Sequence, residues 1–256
     1  MNHGLSFIGM MTTMIGMLLQ GPQSISISPA NTAQAQAHAQ VWIEEARNFP
    51  SSARAATTSG RIAGLIDLLD RGSRIIEAAL RASNGQTGVG EEFGELYAQL
   101  ADWLWETGDR NSQQVLDVLV RAGYSADSPF AREIARGYGG RIVPALLEKA
   151  RSDVPIFRSE ALRMLGTVLQ NSTLEPTTSS MLHGAITVGA FDPDAGVRLA
   201  AVRTLGEIGT AVDLTLLLEI ATKDPAFIPG KDGRAARYWV RDAAWQAVSK
   251  IQQRSR

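Results

Sequence analysis

The chain of 256 residues contains no cysteine, and this absence excludes several kinds of chemistry at once. Without a thiol there is no disulfide, no thiolate zinc site and no cysteine nucleophile. If the protein is exported, packing alone must stabilise it. This is feasible because a chain of this length buries a large share of its surface on folding.

Net charge is also nearly absent. The 25 Lys and Arg residues face 26 Asp and Glu residues, which leaves a formal net charge of -1. The chain therefore lacks the overall positive field that sequence-independent binding to nucleic-acid backbones requires, and we expect no nucleic-acid partner. Aromatic residues are few, at 6%, whereas hydrophobic residues reach 45%, a balance typical of globular proteins.

The start of the sequence has no Asp, Glu, Lys or Arg before Glu44. Within this start, the apolar run Leu5 to Leu19 is shorter than the about 20 residues that a membrane-spanning helix needs. Its length fits the hydrophobic part of a secretory signal. The alternating alanines that follow predict cleavage after one of three residues, Ala35, Ala37 or Ala39.

We therefore predict that residues 1–39 are a signal peptide and flexible leader. The mature protein would be periplasmic or secreted, with no stable membrane span after cleavage. The basic residues that usually precede such an apolar run are missing here. An uncleaved membrane anchor and a disordered start are the alternatives.

From Val41 onward, apolar residues recur at intervals of three and four, and no sustained two-residue alternation indicates strands. The sequence predicts an all-α protein. Gly, Pro, Asp and Asn separate the predicted helices, which cover residues 56–70, 72–82, 91–107, 111–122, 128–137, 140–151, 156–170, 178–190, 195–208, 212–222 and 235–252.

Several of these helices resemble one another at a period of about 40 residues. Residues 157–166 align with residues 197–206, and residues 240–249 supply a third copy. The helices before them match as well, because residues 146–153 resemble residues 217–224. Such self-similarity predicts helical hairpins that stack side by side and share one apolar core.

The clearest copy, Asp192 to Gly209, contains an Asp-Pro turn, a Val-Arg pair, paired alanines and a Leu-Gly pair. This pattern resembles HEAT repeats, specifically the short HEAT-like repeats of the phycobilisome-lyase type, and the resemblance is clearest over residues 141–252. It implies an α-α superhelix, a HEAT-repeat solenoid, preceded by the signal peptide. We assign HEAT-like repeats to residues 141–256 and expect degenerate helical repeats or a helical cap in residues 41–140.

Motif residues of this copy have predicted structural roles. Asp192 and Asp194 are placed to accept hydrogen bonds from the unpaired amides that open the second helix. Gly209 is placed to end that helix in the left-handed conformation. An apolar stripe at helical spacing should face the core; it consists of Val197, Ala201, Leu205 and Ile208.

Residues suited to catalysis are scarce. Only His183 lies beyond the predicted leader, and no second histidine or carboxylate stands at metal-ligand spacing from it. We interpret His183 as a packed or half-exposed helix residue. We expect no catalytic residue, no metal site and no cofactor.

Three arginines, Arg158, Arg198 and Arg241, recur at one repeat position. As the resemblance to HEAT proteins implies, they could form a ladder that binds an acidic ligand. Alternatively, each pairs with turn carboxylates such as Asp153, Asp192 and Asp194.

The segment 224–237 is much longer than the other turns between paired helices. It places Phe227 beside three cations, Lys231, Arg234 and Arg237. Insertions in repeat proteins often lie on the binding side, and an amphipathic mix suits a protein contact. The segment is therefore a candidate contact loop, with a solvated insertion as the alternative.

One predicted helix carries four aromatic residues, Phe93, Tyr97, Trp103 and Trp105. At helical spacing such residues usually form a core, although Trp and Tyr also dominate interface hot spots.

Together these features predict an exported, non-catalytic scaffold or adaptor that binds another protein or peptide. The resemblance also permits a lyase-like enzyme or enzyme accessory, but export argues against bilin attachment, which is a cytoplasmic task. A nucleic-acid binder, as among the HEAT-like DNA glycosylases, is a second alternative that the net charge opposes.

Overall fold

A computed structural model describes residues 29–53, 57–82, 89–109, 111–122, 129–229 and 236–255. In these ranges the regular structure is helical, and the only extended pairing is a single antiparallel bridge between Ile228 and Arg237. The prediction of an all-α protein is thus confirmed. The chain divides into two compact units, Met1–Tyr124 and Ser125–Arg256. The apolar run of the predicted signal lies outside the described residues.

The first unit contains four described helices: α1 (Pro29–Ala53), α2 (Thr58–Ala82), α3 (Glu91–Thr107) and α4 (Gln113–Arg121). Helix α1 packs against α2 and α3, and α2 also packs against α3 and α4.

Helix α1 was not among the helices predicted from the sequence. It begins at Pro29, inside the predicted leader, and buries Ala35, Ala39 and Ala46 along one side. These alanines recur at near-helical spacing, but a small side chain gives a weak periodic signal.

An aromatic cluster forms the core of the first unit. The Trp42 ring lies 4.2 Å from that of Phe93 and 6.0 Å from that of Tyr97 between centroids. Trp42 Nε1 donates to the carbonyl oxygen of Leu68 at 2.8 Å, so its polar atom is satisfied inside the core. Trp105 is buried too. The aromatic residues of α3 thus serve mainly as core.

Residues 58–82 form one helix, α2, where the sequence predicted two helices, 56–70 and 72–82. We expected a break near Gly72, and that was wrong, because α2 continues through it. A Cβ atom at Gly72 would lie 2.8 Å from the Tyr97 ring and 3.1 Å from the Trp42 ring. The glycine is therefore needed for close packing against the aromatic cluster and not for a turn.

The second unit contains seven described helices: α5 (Pro129–Tyr138), α6 (Val143–Lys149), α7 (Pro155–Asn171), α8 (Pro176–Gly189), α9 (Ala195–Ile208), α10 (Leu214–Lys223) and α11 (Trp239–Arg254). Short 3₁₀ helices, Gly139–Ile142 and Ala211–Asp213, lead into α6 and α10.

These helices form three hairpins, α6 with α7, α8 with α9, and α10 with α11. The second helices of the hairpins pack in a row, with α9 between α7 and α11, and α5 also packs against α7. Residues 157–166 and 197–206 therefore occupy equivalent positions in successive layers, as their sequence similarity predicted.

The start of α9 follows its sequence signals. The Asp194 side chain accepts a hydrogen bond from the Val197 amide at 3.0 Å and caps the helix. Val197, Ala201 and Leu205 are buried as one apolar stripe.

The end of α9 differs from the prediction. Gly209 has φ -66° and ψ 161°, an extended and not a left-handed conformation, so the expectation of a left-handed stop was wrong. A Cβ atom here would collide with the Leu205 carbonyl oxygen and would lie 3.0 Å from Ile251 Cδ1. The position is restricted by close approach, which only glycine permits.

Candidate functional site

Arg158 connects two successive repeats. Its Nε donates to Asp192 Oδ2 at 2.8 Å and its Nη2 donates to Asp192 Oδ1 at 2.7 Å. Its Nη1 donates to the carbonyl oxygens of Ser152 and Asp153 at 2.9 and 3.2 Å. One guanidinium group thus binds its own turn and the aspartate in the turn of the next repeat.

Arg198 repeats this arrangement one layer further on. Its Nε and Nη2 donate to the Asp224 carboxylate at 2.6 and 3.1 Å, and its Nη1 donates to the carbonyl oxygens of Asp192 and Pro193. The Asp224 side chain is only 3% exposed. Bidentate geometry and burial make this a strong, directional contact between repeats.

The hydrogen bond from Arg158 to Asp192 raises the pKa of the Arg158 guanidinium above its ordinary value, against the opposing effect of burial. The structure therefore places Arg158 and Arg198 on carboxylates of the chain itself. These are turn carboxylates, as one alternative held, but each belongs to the following repeat. The choice between a carboxylate of the same repeat and one of the next could not be predicted from the sequence, because the sequence does not show which turn packs against which helix.

The turns that these arginines contact share one hydrogen-bond pattern. The side chains of Ser152, Asp192 and Asp224 each accept a hydrogen bond from the amide two residues further on, at 2.8 to 3.1 Å. In the first of these three turns the residue is Ser152, whose side chain is not a carboxylate. At this aligned position, only the second and third turns offer a carboxylate to an arginine fork.

Arg241 occupies the same repeat position in α11 but is bound differently. Its Nε donates to the Asp224 carbonyl oxygen at 2.6 Å, and its guanidinium lies 4.2 Å from the centroid of the Tyr238 ring. In the described part of the chain, no carboxylate pairs with it as Asp192 and Asp224 pair with the other two arginines. Among the described residues, the last arginine of the ladder therefore has no carboxylate partner.

The insertion before α11 is anchored at its two ends. Ile228 and Arg237 exchange backbone hydrogen bonds of 2.8 and 2.9 Å, and the Phe227 ring lies 5.7 Å from that of Tyr238. Phe227, Ile228 and Tyr238 are all exposed. Lys231 and Arg234, the other two candidates of this loop, lie outside the described residues.

Exposed apolar side chains mark further surface that the sequence did not single out. Val188 is 72% exposed at the end of α8, Phe191 is 66% exposed in the following turn, and Val212 lies open before α10. Met181 and Val188 are seven residues apart, which places them on one face of α8. Their exposure could not be predicted from the sequence, because α8 carries apolar residues on several sides.

His183 contacts a carboxylate from the next repeat. Its Nε2 lies 3.0 Å from Asp213 Oδ1, and Asp213 Oδ2 accepts the Thr210 amide at 2.8 Å. Asp213 is buried and lies in the 3₁₀ helix before α10. The pair joins α8 to the following layer, a contact that sequence spacing did not indicate.

Two like charges meet on the row of second helices. Arg163 and Arg203 occupy the same repeat position on α7 and α9. Burial, and secondly the positive charge of Arg203, lower the pKa of the Arg163 guanidinium. Two cationic side chains of successive repeats thus influence each other at this position.

The described residues were also compared with what a metal site or a membrane span would need. They contain no group of three or more His, Cys, Asp or Glu side chains that could hold a metal ion. Across the same ranges, no helix combines the length and apolar character needed to cross a membrane.

Stacked hairpins of similar sequence, tied by a repeated arginine and aspartate contact, define a helical-repeat protein. Residues 143–228 match the family model of HEAT repeats, so this segment of the second unit is built of HEAT repeats. No curated protein and no solved structure matches the chain.

Proposed function

We propose that the protein is an exported, non-catalytic scaffold that binds another protein or peptide through its second unit. The observation that carries this proposal is the placement of exposed large hydrophobic side chains. Apart from Val41, all those found in the described residues lie between Met181 and Trp245. Concentrated exposed apolar surface is typical of protein interaction sites.

The outward face of α8 is the best-defined part of this surface. Gly184 lies between Met181 and Val188 on that face, and a Cβ atom there would meet nothing within 4 Å. Two exposed apolar side chains thus flank an open, flat position. Such a face suits a packed contact with a protein partner.

The anchored insertion supplies a second contact region. Phe227 provides an exposed aromatic ring and Arg237 an exposed cation, while Lys231 and Arg234 add positive charge to the same loop. An aromatic anchor beside arginine is the composition that interface hot spots favour. We include these four residues in the proposed contact surface.

Substitution of the α8 face tests the proposal. The partner is first identified by crosslinking in the native organism and is then purified. The double variant Met181→Ser/Val188→Ser should bind it at least 10-fold more weakly, since two buried interface side chains would each lose about 1 kcal/mol or more. Binding is measured by calorimetry.

Val41→Ser is the matched control, because Val41 is 58% exposed but lies in the first unit. This variant should bind the partner as tightly as the unaltered chain does. Equal weakening by both changes would argue against a surface in the second unit. Retention of the chain on DNA with a steep salt dependence would instead favour a nucleic-acid binder.

Export is tested by sequencing the N-terminus of the mature protein. We expect it to begin between Gln36 and Gln40. Of the three candidate positions, cleavage after Ala35 or after Ala37 keeps Ala39, which is buried on α1, in the mature chain, so Gln36 and His38 are the expected first residues. A chain with intact Met1 in the cytosolic fraction would contradict export.

A further inference from the structure

The last helix of the row exposes a face that is covered in the two helices before it. On α7 this face carries Arg158, Leu162 and Gly166, spaced four residues apart. Leu162 is buried against Gly189 of the next hairpin, and Gly166 is in close contact with Thr204. The face is therefore the surface that receives the following repeat.

The same face of α9 is covered in the same way. Arg198 binds Asp224, Val202 is fully buried, and a Cβ atom at Gly206 would lie 3.0 Å from Ala247 Cβ. Each of these two faces thus has three parts: an arginine that binds a turn carboxylate, an aliphatic residue that is buried in the core, and a glycine that allows the next repeat to approach closely.

On α11 the aligned residues are Arg241, Trp245 and Ser249, and we call them the end face. Trp245 is 49% exposed where Leu162 and Val202 are buried. Ser249 is exposed as well. The end face keeps the arginine, the apolar side chain and the small residue of a repeat-receiving surface.

We propose that the end face is a docking site for a helical hairpin of another protein, whose interhelical turn presents an aspartate to Arg241. Charge complementarity defines this occupant. At both earlier layers the arginine fork is matched by a turn carboxylate, and at α11 the fork keeps one backbone contact and a ring contact. The proposal deepens the scaffold function and rests on it.

A second copy of the chain fits this face poorly. The first turn of the array carries Ser152 where the later turns carry Asp192 and Asp224. Helix α5 already packs against α7 on the upstream side. Head-to-tail stacking of two second units would therefore place Ser152 opposite Arg241, at the position where Asp192 and Asp224 meet the earlier arginines.

The probe is a synthetic peptide of residues 176–209, which contains the hairpin α8–α9 with its Asp192 turn. It is labelled with a fluorophore and titrated with the full chain by anisotropy. We expect saturable binding that weakens about 10-fold or more in Arg241→Gln and in Trp245→Ser. The peptide carrying Asp192→Asn should show the same loss against the unaltered chain.

Because a single hairpin can fail to fold alone, a second format joins residues 176–209 to Arg256 through a Gly/Ser linker. Docking should then protect amides of the added hairpin from hydrogen exchange, and Arg241→Gln should remove at least 90% of that protection. An unprotected added hairpin would overturn the proposal. So would protection that is equal with and without Arg241.

Sedimentation of the unaltered full chain completes the test. A single species independent of concentration is expected. Self-association that Arg241→Gln abolishes would assign the end face to a second copy and overturn the proposal. The two proposals can fail separately. If Met181→Ser/Val188→Ser weakens partner binding but no hairpin docks on the end face, the scaffold function stands and only the end-face proposal is rejected.

Discussion

Replacing Arg198 by Met should lower the free energy of unfolding of the second unit by about 3 kcal/mol. The substitution keeps an unbranched apolar stem but removes the fork that holds Asp224. That carboxylate is nearly inaccessible to water, so it would be left buried without its positive partner. Urea unfolding of the full chain measures the loss, and hydrogen exchange of α9 to α11 assigns it to this unit.

Arg241→Met is the matched control, because it removes an arginine from the same repeat position without stranding a carboxylate. It should cost about 1 to 2 kcal/mol, the contribution of one charge-assisted hydrogen bond and one ring contact. The double variant Arg198→Met/Asp224→Asn should be more stable than Arg198→Met, because the amide oxygen still accepts from Ala226 and carries no charge. If Arg241→Met cost as much as Arg198→Met, the buried ion pair would not be the cause.

The repeat itself could be predicted from the sequence, because each residue of the motif has a local task that depends on neighbours along the chain. Asp194 caps its own helix, and Val197 and Leu205 face the core at helical spacing. These relations lie within one helix and its turn. Such local relations can be recognised in the sequence without knowing which repeat packs against this one.

Relations between layers could not be predicted in the same way. Sequence analysis offered turn carboxylates as partners of Arg158, and the structure shows that the partner is Asp192 of the following turn. It also gave no sign that His183 meets Asp213. The stacking register decides both contacts, and register depends on how whole hairpins approach one another.

Small residues allow more than one interpretation of a sequence, as two places show. A break was predicted at residue 71, next to Gly72, although Gly72 is the point where α2 passes close to the Trp42 and Tyr97 rings. Ala35 and Ala39 suggested a cleavage site, and in the structure they lie on the buried side of α1. A small side chain permits a turn, a cleavage site or a tight contact, and only the packing partner distinguishes these uses.

The second large loss of stability is expected at Gly206, where two successive repeats approach closely. Gly206→Gln should lower the free energy of unfolding of the second unit by about 2 to 3 kcal/mol, the range of an overpacked core. A Cβ atom at this position would lie 3.0 Å from Ala247 Cβ and 3.1 Å from Ala247 Cα. Alanine has no alternative rotamer, so the clash can be relieved only by moving α9 away from α11. Thermal and urea unfolding of the full chain measure the change.

Gly184→Gln is the matched control, since it makes the same substitution in a helix of the same unit where a Cβ atom would meet nothing within 4 Å. Removing a mid-helix glycine from an open position should stabilise the unit by about 0.5 kcal/mol. The two variants should therefore change stability in opposite directions. A stabilising effect of both would mean that α9 and α11 can separate at little cost, and the tight layer spacing on which the end face depends would then be wrong.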